Sequence, residues 1–147
     1  MAVLQLQDVY LARQRIESLV RRTPMEHSPS LSRLMGVAVY LKLESLQITG
    51  SFKLRGASNA VAQLSPEQKA LGVVTASTGN HGRALAHAAS QQGVKAIVCL
   101  SNLVPANKVQ AIRDLGAQVC IVGQSQDDAQ GEAERIAREQ GATFLPP

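Results

Sequence analysis

Two short segments carry the residue types from which a chemical site can be built. They are Thr49-Gly50-Ser51-Phe52-Lys53-Leu54-Arg55-Gly56-Ala57 and Ala76-Ser77-Thr78-Gly79-Asn80-His81-Gly82. Both run into helical patterns. Lys53 falls in a first helical turn, where the positive end of the dipole and the neighbouring Arg55 disfavour a further positive charge. A partly neutral amine is what Schiff-base chemistry needs, whereas the plain alternative is a surface charge. The second segment joins a strand ending at Ala76 to a helix starting near Asn80. Backbone N–H groups at such a turn favour a carboxylate or phosphate. Gly79 and Gly82 allow close approach, Ser77, Thr78 and Asn80 add side-chain hydrogen bonds, and His81 can contact the anion. Ordinary N-capping by Asn80 is the competing explanation. The turn lacks the third glycine of a GxGxxG dinucleotide fingerprint. His27 and His87 carry no comparable context.

The elements that must hold these segments follow from periodicity. Residues 51–64 carry the helical stripe Leu54, Ala57, Val61 and Leu64, and Ser65-Pro66-Glu67-Gln68 starts a short helix that stops near Gly72. Strand signals at Val73–Ala76, Val94–Leu100, Ala117–Val122 and Thr143–Leu145 then alternate with helical segments at about 80–92, 105–115 and 127–140, closed by Gly93, Gly116 and Gly141. This βαβαβαβ order predicts an α/β fold: a parallel sheet with helices on both faces and ligands at the carboxyl ends of its strands. Upstream, Val9, Ala12, Ile16, Leu19 and Val20 predict a helix over 8–22 with a solvated basic face of Arg13, Arg15, Arg21 and Arg22. Ser28-Pro29 and Gly36 bracket a short helix, and 37–43 alternates as a strand without an obvious partner.

Composition narrows the function classes. At 147 residues and 45% hydrophobic, the chain can bury one compact core. A net charge of +4 and 3% aromatic residues give neither a nucleic-acid surface nor a base-stacking platform. No apolar run approaches the roughly 18 residues of a membrane helix, and the first ten residues lack signal-peptide order, so a cytoplasmic location is expected. Cys99 and Cys120 each sit inside an apolar run, which predicts buried reduced thiols rather than a bridge or metal ligands.

SFKLRGA followed two dozen positions later by STGNHG resembles the threonine/serine dehydratase branch of the fold-type-II pyridoxal-phosphate enzymes. The resemblance continues through Lys42–Ser45 and through the Val-Pro, Lys108 and Arg113…Leu115-Gly116-Ala117 pattern. It implies that Lys53 binds the pyridoxal 5'-phosphate cofactor as a Schiff base and removes the substrate α-proton. It further implies that Phe52 packs beside the pyridine ring and Asn80 hydrogen-bonds the cofactor's 3′-oxygen. Ser77, Thr78, Asn80 and His81 would hold the carboxylate of a small hydroxy amino acid, threonine or serine, which becomes a 2-oxo acid and ammonia.

Members of that family are considerably longer. Their glycine-rich phosphate loop and the group facing the pyridine nitrogen lie beyond Pro147, so the chain is expected to be an N-terminal part, inactive alone. Residues 1–50 would begin the larger domain, with 51–147 forming the smaller one, and the full-length protein would be a homo-oligomer. The overall look also resembles dehydratases of ectoine and hydroxyectoine utilisation. A β-replacement synthase is disfavoured by Leu54 and His81, and a racemase by Thr78. From another class, a truncated non-catalytic anion-binding module is the alternative.

Overall fold

The computed structural model describes residues 3–77 and 79–147. Thr78 lies outside the described residues. Helix α1, Leu6–Ile16, is shorter than its apolar periodicity predicts, and only Ile16 is buried on it. Beyond Ile16 the chain turns back, with the Leu19 N–H donating to the Ile16 carbonyl at 2.9 Å. That turn delivers Arg21 to Gln47, whose side-chain amide brackets the Arg21 backbone through bonds of 2.9 and 3.0 Å. A long-range pair of hydrogen bonds thus overrides a locally favourable helix. The basic face is also less free than predicted, because the Arg15 guanidinium donates to Asn59 Oδ1.

Strand β1, Met25–His27, carries no sequence signal, yet it pairs antiparallel with β2, Tyr40–Lys42, in a two-stranded sheet. The predicted 37–43 strand therefore has a neighbour, supplied by a segment too short for period-two alternation to register. Between them α2, Pro29–Met35, has proline at its first turn and ends on Gly36, whose φ of 69° is the left-handed closure glycine permits.

The remaining elements form the predicted α/β unit. They are α3 Lys53–Ala62, α4 Pro66–Leu71, β3 Val73–Ala76, α5 Asn80–Gln91, β4 Ala96–Leu100, α6 Ala106–Arg113, β5 Gln118–Ile121, α7 Gln126–Gln140 and β6 Thr143–Phe144. The four strands are parallel in the order β5-β4-β3-β6. Period-two alternation splits their side chains between two cores. Val73, Ala96, Val98 and Leu100 pack with α3, α5 and α6, whereas Val74, Ala76 and Cys99 pack under Ala129, Ala133 and Ile136 of α7. The chain steps one way from β3 to β5, with α5 and α6 on one face. It then crosses the opposite face through α7 to place β6 on the far side of β3. Reversal of direction with a constant crossover hand requires this switch of faces, and it opens a crevice between the carboxyl ends of β3 and β6. Among the described residues, no helix is long and apolar enough to cross a membrane.

Candidate functional site

The two segments singled out by residue type meet at that crevice. The β3 strand ends at Ala76, Ser77 follows, and α5 begins at Asn80 with Gly79 as its N-cap. The N-cap is Gly79 rather than Asn80, and among the described residues no side chain caps this helix. The N–H groups of the first turn have no intrahelical acceptor, and among the described residues none is bonded to a side chain, which suits an anion there. Gly82 sets how deeply the turn seats: a Cβ there would lie 2.6 Å from the Ser77 carbonyl and 3.1 Å from Val98 Cγ1. Only a glycine lets α5 rest directly on the ends of β3 and β4.

Lys53 opens α3, directly after Phe52, and both line a cleft of about 370 Å³ together with Gly56, Ala57, His81 and Leu145. That volume lies in the range of small-molecule pockets, roughly 300–1,000 Å³. The Lys53 ammonium nitrogen sits 5.7 Å from the centroid of the Phe52 ring, which is itself exposed. His81 is buried and lines the same cleft, and its Nε2 lies 3.3 Å from the Leu145 carbonyl oxygen. A carbonyl only accepts, so Nε2 carries the hydrogen and Nδ1 of the neutral ring is an acceptor. Burial holds the His81 imidazole below its ordinary range; the positive charge of Lys53 acts in the same direction and the Leu145 carbonyl opposes both. The histidine is therefore neutral near pH 7.

Ser77 and Asn80 share the turn with His81 but do not line this cleft. Ser77 is buried, with its Oγ 3.4 Å from the Gly79 N–H, and Asn80 is exposed. Leu145 was not a candidate from sequence, since a backbone carbonyl leaves no residue-type signal.

A polar cluster, also unforeseen, anchors the base of α3. Arg55 is predicted to be a second positive charge beside Lys53. Its guanidinium instead pairs with Glu44, from Nη2 to Oε1 at 2.7 Å and from Nε to Oε2 at 3.0 Å. Thr23 donates to the same carboxylate, and Lys42 Nζ donates to the Thr23 carbonyl at 2.6 Å. The Arg55 hydrogen bonds hold the Glu44 carboxyl below its usual range against an opposing effect of burial, with Thr23 and Lys42 assisting. The cluster fixes the loop 44–52, whose Gly50 adopts a φ of 75° in a turn closed by its N–H bonding the Gln47 carbonyl at 2.8 Å. The Thr49 and Ser51 hydroxyls in that loop are buried without a hydrogen-bond partner among the described residues. Polar capacity that the fold leaves unused, two and four residues from a cleft-lining amine, fits a bound polar group there.

The chain also resembles known proteins along almost its whole length. The chain is 58% identical over 144 residues to a provisionally named threonine dehydratase of Sinorhizobium fredii, covering 98% of this chain and 43% of that one. It is 41% identical over 145 residues to an L-threonine ammonia-lyase of Thermotoga maritima, covering 99% and 36%. Maize serine racemase superimposes with a TM-score of 0.91 at 33% identity, over 98% of this chain and 44% of the racemase. The chain thus spans less than half the length of these relatives. The family model described as pyridoxal-phosphate dependent enzyme matches residues 16–147, which include the cleft, its lysine and both loops, and the chain belongs to that family.

Proposed function

We propose that this chain is the N-terminal part of a pyridoxal-phosphate-dependent lyase that converts L-threonine or L-serine into a 2-oxo acid and ammonia. The observation that carries the reading is the convergence of Lys53 and of His81, from the first turn of α5, on one crevice at the strand ends. Names of relatives support the dehydration outcome.

When bound, pyridoxal phosphate supplies an aldehyde that condenses with amines and a ring that disperses negative charge from the substrate's α-carbon. Lys53 would be the amine that holds it, Phe52 would flank its ring and Asn80 would bond its 3′-oxygen. The first-turn N–H groups of α5, the His81 backbone N–H among them, would receive the substrate carboxylate together with Ser77, Thr78 and Asn80. Fixing that carboxylate turns the Cα–H bond towards Lys53, whose free amine takes the proton as the β-hydroxyl departs. The neutral His81 ring places no second positive charge beside Lys53.

Residues 1–50 begin the larger domain of the full enzyme and 51–147 form the smaller one. The whole protein is a cytoplasmic homo-oligomer in amino-acid metabolism, with no nucleic-acid or membrane partner. Racemisation is the second reading, favoured by the maize superposition. The test is a product assay on the complete polypeptide that carries this chain, loaded with cofactor. Ammonia and 2-oxo acid released from L-threonine support the lyase; D-serine formed from L-serine without ammonia supports the racemase.

A further inference from the structure

We propose that Cys99 and Cys120 form a peroxide-sensitive dithiol that closes to an internal disulfide across β4 and β5. The inference is independent of the functional reading above. The two residues are direct register partners on adjacent parallel strands. Neighbouring strands lie about 4.7–4.9 Å apart, inside the Cα separation of about 4.4–6.8 Å that a disulfide accepts, and closure draws the two Cβ atoms to the roughly 3.5–4.5 Å the bond requires. Alternation turns both side chains to the α7 face, where Cys99 belongs to the core under Ala129 and Ala133 and Cys120 packs against it.

The pair divides the chemistry. Cys99 is fully buried, and Cys120, on the edge strand, is half-buried. Burial, followed by the adjoining Cys120 thiol and the Glu132 carboxylate, pushes the Cys99 thiol up to about 12. Cys99 therefore does not react with reagents in solution, and Cys120 is the sulfur an oxidant meets. Cys120 Sγ attacks hydrogen peroxide, breaking the O–O bond; sulfur loses two electrons and becomes a sulfenic acid as one water leaves. The Cys99 thiol then displaces the hydroxyl. The S–O bond breaks, the S–S bond forms, and the Cys99 proton departs with the hydroxyl as a second water. Two thiols and one peroxide thus give one disulfide and two waters. Held beside Cys120, Cys99 reacts through proximity rather than through a large thiolate fraction.

The pair is tested on the 147-residue chain by treatment with millimolar hydrogen peroxide, quenching with an alkylating agent, and tryptic mapping. The two cysteines fall on separate tryptic peptides, residues 96–108 and 114–135, so a bridge is read directly. The expected result is a loss of about 2 Da in the intact mass and one cross-linked peptide pair, both reversed by a thiol reductant. Without peroxide, native-state alkylation should label Cys120 and spare Cys99. Cys120→Ser should abolish the bridge. Cys99→Ala, which retains a small apolar group in the core, should instead stop Cys120 at the sulfenic acid or carry it to sulfinic acid. Intermolecular dimers, over-oxidised Cys120 without a bridge in the unaltered chain, or unreacted thiols would each overturn the proposal.

Discussion

His81 is the residue whose chemistry the structure specifies most fully. Its imidazole is held below its ordinary range by burial first and by Lys53 second. The unfolded histidine, at about 6.5, takes a proton before the folded one does, so protons bind preferentially to the unfolded chain as pH falls. Stability attributable to His81 is intact above that value and declines below it. The melting temperature should fall more steeply between pH 7 and pH 5.5 for the unaltered chain than for His81→Gln. Parallel curves would mean that the histidine titrates as if exposed. Ser77 and Asn80 belong to the same scale. In the complete enzyme Ser77→Ala and Asn80→Ala should each remove about 1.5–3 kcal/mol of transition-state binding, roughly a 10- to 150-fold loss in kcat/KM. Unchanged kinetics with a lowered melting temperature would instead assign these side chains to the stability of the turn.

At the scale of elements, the seating of α5 on β3 decides whether the turn can present its N–H groups. Gly82→Ala forces a methyl against the Ser77 carbonyl and Val98, and should cost about 1–3 kcal/mol of stability, read as a lowered melting temperature. A neutral result would place the turn farther from the strand ends than 2.6 Å implies. Elements β3 to β6 and α5 to α7 were legible in the sequence because each strand alternates or runs apolar and a glycine stops most helices. The strand Val73–Ala76 was located to the residue. What escaped was set by distant partners. Strand β1 exists because β2 needs hydrogen bonds, α1 ends early because Arg21 must reach Gln47, and Glu44 acquires its role only when the fold brings Arg55 and Thr23 to it. Periodicity reports local repetition and has no term for a carboxylate and a guanidinium eleven positions apart.

For the whole molecule, the candidate site depends on both parts of the chain. Lys53 and the α5 turn lie in the parallel-sheet unit, while the loop that delivers Lys53 is pinned by Thr23, Lys42 and Glu44 from the first fifty residues. The lysine was legible from its motif, and the polar anchor behind it was not. The central claim is that this architecture singles out Lys53 among five lysines. It is tested most directly by loading the complete polypeptide that carries this chain with pyridoxal phosphate, reducing with borohydride and mapping the labelled peptides. The label is predicted to concentrate on Lys53; an even spread over Lys42, Lys69, Lys95 and Lys108, or a preference for any of them, would contradict it.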